Sequence, residues 1–151
     1  MANPRLAVDF EGIDGHYTGY VIDASTIVWS ATAARGSAVV DRAVALAGAG
    51  VIKLAADGER VIGRLERVEN DGVATVQDGG FTTLPGGTSA ALTNGRGFVG
   101  ALNGGNPGYI REAAATGAAY AEAAADDTQA AASHQIIDST TATAVKVRLN
   151  R

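Results

Sequence analysis

A chain of 151 residues and 15.2 kDa suits one domain, and at this size about 70% of the unfolded surface is buried on folding, so no covalent staple is required. It has no cysteine, which excludes disulfides, thiolate metal sites and thiol catalysis. A net charge of −4 and a pI near 5.0 argue against a nucleic-acid or anionic-membrane partner. Glycine is frequent, at 20 residues, and aromatics make up only 5%, so the core must be built from Val, Ile, Leu and Ala. Such a core holds little apolar area per residue, and association with a partner is the expected further source of stability.

The first 15 residues carry Pro4, Gly12 and Gly15, while Leu6, Val8 and Phe10 alternate as in a strand. A short extended arm is the natural reading. The N-terminus has no basic stretch leading into an apolar core, and no apolar run of about 18 residues occurs, so neither a signal peptide nor a spanning helix is expected. Tyr17–Ser30 is rich in β-branched and aromatic residues and predicts one or two strands. Ser37–Leu46 fits a strand or a short helix equally well.

Between Gly50 and Phe81 the signal is strongest. Val51–Ala55, Arg60–Glu69 and Val73–Gln77 are three β-rich runs. Asp57-Gly58, Asn70-Asp71-Gly72 and Asp78-Gly79-Gly80 punctuate them, which predicts a three-stranded meander closed by the last glycine pair. The apolar parity shifts between Leu65 and Val68, where a bulge is expected. Phe81–Gly97 reads as mostly loop, with Pro85-Gly86-Gly87 at its centre. Ile110–Ser133 is dominated by alanine, which favours a helix, but Gly117 and Asp126-Asp127 interrupt it and large apolar anchors are nearly absent, so helix and extended loop both remain open. Thr141–Asn150 alternates Val145, Val147 and Leu149 with Lys146 and Arg148, the pattern of a half-buried strand. The fold class is therefore all-β: a small barrel or sandwich-like domain over 36–151, preceded by an arm and first strands over 1–35, with an alanine-rich excursion near 110–133.

Gly95, Gly97 and Gly100 spell G-x-G-x-x-G, but a dinucleotide loop requires a strand before it and a helix after it. The following "ALNGGNPG" cannot be helical, so the spelling marks a glycine-rich turn. His16 and His134 lie in different segments, with Asp14 and Asp138 as their nearest acids. Two weak pairs make no metal cluster, and both histidines read as solvated surface residues. Asp126-Asp127 reads as a helix cap, and Arg64, Glu66, Arg67 and Glu69 as charged outward positions on a strand. None of Ser25, Ser30, Ser37, Ser89, Ser133 and Ser139 has a nucleophile-elbow context. The reading contains no catalytic residue, metal or cofactor. What remains is surface: Arg5, Leu6, Val8, Phe10, Tyr17 and Tyr20 on the arm and the run that follows it could contact a partner, by adding a strand to a neighbouring sheet edge. Trp29, the sole tryptophan, is either a core residue or an interface anchor.

The segments "VIKLAADGERVIGRLERVENDGVATVQDGG" and "HQIIDSTTATAVKVRL", in a cysteine-free Gly/Ala-rich chain, resemble the bacteriophage capsid decoration (cement) proteins. The resemblance spans roughly Ser37 to Leu149 and is densest over Gly50–Gly80 and Thr141–Leu149. It implies a non-enzymatic protein on the outer surface of the virion, bound to the major capsid protein of an expanded head, as a homotrimer, clamping neighbouring shell subunits. A phage tail or minor head protein, or a small β-barrel ligand-binding module, are the alternatives.

Overall fold

The computed structural model describes residues 15–87, 92–113 and 134–150. Nine strands lie among them: β1 (His16–Ile22), β2 (Ala43–Gly48), β3 (Val51–Leu54), β4 (Gly63–Val68), β5 (Val73–Leu84), β6 (Phe98–Asn103), β7 (Asn106–Glu112), β8 (Gln135–Asp138) and β9 (Val145–Leu149). The only helical element among the described residues is a 3-10 turn at Ala34–Gly36. The chain is all-β.

Five strands close a barrel in the order β1-β3-β2-β4-β5, and β1 returns to pair with β5. Four of the five contacts are antiparallel; β1 and β3 run parallel, with Val21 opposite Val51 and Ile22 opposite Ile52. Closure removes the sheet edges that otherwise invite aggregation. The interior holds Ile27, Val44, Ile52, Leu54, Leu65, Val68, Ala74 and Val76, with Tyr20 and Ile22 packed against them. Aliphatic side chains of middling size fill so narrow a barrel, which is why few aromatics suffice.

The Asn70-Asp71-Gly72 loop joins β4 and β5 as expected, and the register slips between Leu65 and Arg67, where parity predicts a bulge. The meander is not continuous, however. β3 has both edges filled, by β1 and β2, so β4 cannot pair with it and instead crosses to the other edge of β2. The Asp57-Gly58 turn forms, but it is bound to β6: Gly58 N–H donates to the Gly100 carbonyl, and Gly100 N–H to the Glu59 carbonyl. Ser37–Leu46 resolves into turns followed by β2.

Nor does Asp78-Gly79-Gly80 end its strand. β5 runs through it for 12 residues, exchanging the barrel partners β1 and β4 for β9, which pairs from Gly80 to Leu84. The Gln77 side-chain amide donates to the Gly79 and Phe81 carbonyls, and Gly80 (φ 84) turns the strand out of the barrel. The glycines are a corner, not a stop. Phe81–Leu84, read as loop, is strand for this reason.

Beyond the corner β9 pairs with β8, and β6 and β7 form a separate hairpin. β9 alternates buried and exposed residues, as its sequence predicts. These strands enclose a second core of Leu84, Phe98, Ile110, Ile136, Val145 and Val147 against Ala43, Ala45 and Val61. In the G-x-G-x-x-G segment Gly95 lies in a turn, but Gly97 and Gly100 belong to a bridge and to β6, and the next element is β7, a strand. The bulk of the alanine-rich stretch, 114–133, with Asp126 and Asp127, lies outside the described residues, as does the arm to residue 14.

Candidate docking face and the polar clusters around it

Because side chains alternate along a strand, β1 sends Tyr20 and Ile22 into the barrel and Tyr17, Gly19 and Val21 outward. Tyr17 is 51% and Val21 54% exposed. Val21 lies opposite Val73 of β5, itself 38% exposed, and Gly19 leaves the surface between them low. The result is an apolar strip on the outside of the barrel. Of the candidate contact residues, Tyr17 lies on the strip and Tyr20 lies off it, turned to the core. Arg5, Leu6, Val8 and Phe10 lie outside the described residues. Val21 and Val73 were missed, although Val21 shares the parity of Tyr17 and could have been found from it.

Trp29 is 40% exposed and belongs to neither core. It borders a cleft of about 410 Å3 with Arg35, Arg67 and Glu69, beside the same β4–β5 turn that precedes Val73. Gly36 makes the approach possible: a Cβ there would lie 1.8 Å from the Val68 carbonyl oxygen.

At the entry to β1, Asp78 gathers two partners. His16 Nδ1 is 2.5 Å from its Oδ1, and the Thr18 hydroxyl donates to its Oδ2 at 2.7 Å. His16 thus pairs with Asp78. A nucleophile relay needs the base between hydroxyl and acid, whereas here the acid lies between hydroxyl and base. The cluster clasps the start of β1 to β5.

His134 is not a surface residue: it is 4% exposed and its ring lies 5.5 Å from that of Phe98. Its Nε2–H donates to the Val61 carbonyl at 2.7 Å, and its Nδ1 accepts from Asn150 N–H at 3.0 Å. That pair of bonds requires the neutral ring. Burial lowers the His134 pKa below 6.5; the Val61 bond opposes this and Arg60 reinforces it. Asp138 instead binds Thr140. The unfolded chain takes up a proton below about pH 6.5 that the folded chain resists, so stability falls as pH drops through this range. The loss is at most about 1.4 kcal/mol per pH unit for one proton. We expect urea titrations between pH 7.5 and 5 to show this slope in the parent and a smaller one in His134→Gln. Equal slopes would mean that His134 titrates alike in both states. The carboxyls held below their usual value, Asp23, Asp41 and Asp138, stabilise the fold throughout this range and lose that contribution only as the pH falls below about 5.

Arg64 and Glu66 are not simply outward. Arg64 reaches Asp41, Glu66 and, at 2.9 Å, the Thr82 hydroxyl, while Arg35 bridges Asp41 and Glu66. Asp41 adopts a left-handed backbone (φ 69), which its short polar side chain tolerates, and this presents one carboxylate oxygen to each arginine. Burial acts to raise the Asp41 carboxyl, but the two guanidinium groups outweigh it and hold it low. Arg67 and Glu69 pair at the surface, as their strand pattern suggests.

The class these features define is a closed β-barrel with an outer sheet and an exposed apolar strip. Comparison of the chain with protein-family models, curated proteins and solved structures found no match.

Proposed function

We propose that the chain is a structural capsid decoration protein, which docks on the outside of an expanded viral head and strengthens contacts between major capsid subunits. The observation that carries this reading is the apolar strip of Tyr17, Val21 and Val73 on a closed barrel, running along β1 to its pairing with the start of β5. Exposed apolar surface on a soluble acidic domain is costly unless a partner covers it. A closed barrel offers a rigid body, and the arm adds reach, so broad contact is gained with little ordering of the domain itself. Binding only the expanded lattice stabilises that state by linkage. On this reading the protein acts as a homotrimer on the virion surface, without catalysis, cofactor, nucleic acid or membrane.

The test is co-sedimentation with expanded and unexpanded heads of the phage that encodes the chain. Saturable binding to expanded heads alone is expected. Deletion of residues 1–15, or the double change Val21→Ser with Val73→Ser, should weaken it about tenfold or more, as loss of a hot-spot contact does. No binding to either form would overturn the proposal, and a double variant that binds like the parent would remove the strip from the interface.

A further inference from the structure

On the side of the barrel where β5 turns outward, a second cleft of about 530 Å3 opens between the segment before β2, β4, β5, β7 and the segment before β9. Two arginines line it, Arg42 and Arg64, and Arg64 is already engaged by Asp41, Glu66 and the Thr82 hydroxyl. The stem of the Arg42 side chain lies against Gly108, where a Cβ would come within 2.9 Å of Arg42 Cβ and 3.0 Å of Cδ; Gly108 also has φ 94. The guanidinium carbon lies 5.1 Å from the centre of the Tyr109 ring, and Nη1 makes one long bond, 3.4 Å, to the Pro107 carbonyl. So the head group is positioned by three consecutive residues of β7, yet pairs with no carboxylate among the described residues.

The neighbouring charges are already satisfied. Both oxygens of Asp41, the acid that lines this cleft, are taken by Arg35 and Arg64. Hydroxyl groups of Thr83 and Thr143 line the same space and make no hydrogen bond to the described residues. An arginine stacked on an aromatic ring keeps its N–H edge available, and that edge matches a carboxylate with two parallel bonds. Uncommitted donors of one kind therefore converge on a space within the size range of small-ligand sites.

We propose that this cleft binds a carboxylate, with Arg42 as its fork, Tyr109 as the platform beneath and Thr83 and Thr143 as flanking donors. The volume exceeds a lone carboxylate and suits one carried on a body of side-chain or dipeptide size. An acidic segment of another protein and a small free polycarboxylate present the same group. The site is independent of the docking strip, so either proposal can fail without the other.

The test is a titration of the 15N-labelled full chain at low salt, followed by the amide signals of Thr83, Tyr109 and Thr143 and the Arg42 side-chain Nε–H. The probes are citrate, the blocked peptide Glu-Asp-Glu, and its neutral counterpart Gln-Asn-Gln. Saturable shifts confined to these signals are expected with the acidic probes. Arg42→Gln should weaken them about tenfold or more, since a charge-assisted pair is lost. Arg42→Lys, which keeps the charge without the fork, should fall between. Tighter binding of the peptide would assign the site to a protein segment, and tighter binding of citrate to a small polycarboxylate. Equal shifts with the neutral peptide, or shifts that survive Arg42→Gln in an otherwise unchanged spectrum, would overturn the proposal.

Discussion

Gly63→Ala is expected to destabilise the protein by about 3 kcal/mol or more, at the upper end of overpacking changes. That corresponds to a fall in Tm of roughly 6–12 °C for a domain of this size. Gly63 begins β4, close against the backbone of β5. A Cβ at this position would lie 2.2 Å from the Gln77 carbonyl oxygen and 2.7 Å from Val76 Cγ1. The first obstacle is backbone, which no rotamer change can move aside. The strain must be relieved by parting β4 from β5, and Gly63 also pairs with Val44 of β2, so two of the barrel's contacts share the damage. Gly48→Ala is the matched control. It lies at the exposed end of β2 with nothing within 4 Å of an added Cβ, and should change stability by no more than about 0.5 kcal/mol. Thermal melts of the pair separate close approach from a general intolerance of glycine replacement. Similar Tm values for the two would mean that β4 and β5 accommodate a methyl group, and that the barrel is looser than its geometry.

What the sequence made legible was local. The β4–β5 hairpin follows from three turn residues, the bulge from a parity slip between Leu65 and Val68, and β9 from five alternating residues. What it concealed depends on which distant strand arrives at which edge. Asp57-Gly58 signals a turn equally well whether the flanking strands pair or, as here, diverge because β1 and β2 already occupy β3. Asp78-Gly79-Gly80 looks like punctuation, and only the exchange of β1 and β4 for β9 shows it to be a corner. His134 has a serine before it and a glutamine after it, a polar setting that suggests solvent, yet it is enclosed by Val61, Phe98 and Asn150. The Arg42 cleft draws on the approach to β2, on β4, β5 and β7, and on the approach to β9, so no spacing rule could have found it. By contrast, the apolar strip was half legible, since one strand with period-two alternation places Tyr17 and Val21 together.

Phe98→Ala should cost about 3–5 kcal/mol and Leu65→Ala about 2–5 kcal/mol, the range for large core truncations. The informative comparison is the form of the two transitions. Phe98 fills the outer core with Ile110 and Val145, whereas Leu65 is wholly inside the barrel. The two cores are back to back across β2 and end to end along β5. On β2, Val44 faces the barrel interior while Ala43 and Ala45 face the outer core; on β5, Val76 serves the first and Leu84 the second. A strand cannot lose its packing on one face and keep its position on the other, so loosening either core should propagate to both. Trp29 lies at the barrel rim, far along the chain from Phe98, and reports the barrel alone. In urea, tryptophan fluorescence and far-UV circular dichroism should therefore give coincident transitions in both variants, shifted to lower midpoint with an unchanged m-value. If the circular dichroism of Phe98→Ala fell first and the Trp29 signal followed in a separate step, the barrel would stand without its outer sheet. The outer strands would then be a separable layer, and the corner at Gly79-Gly80 a hinge between two folding units.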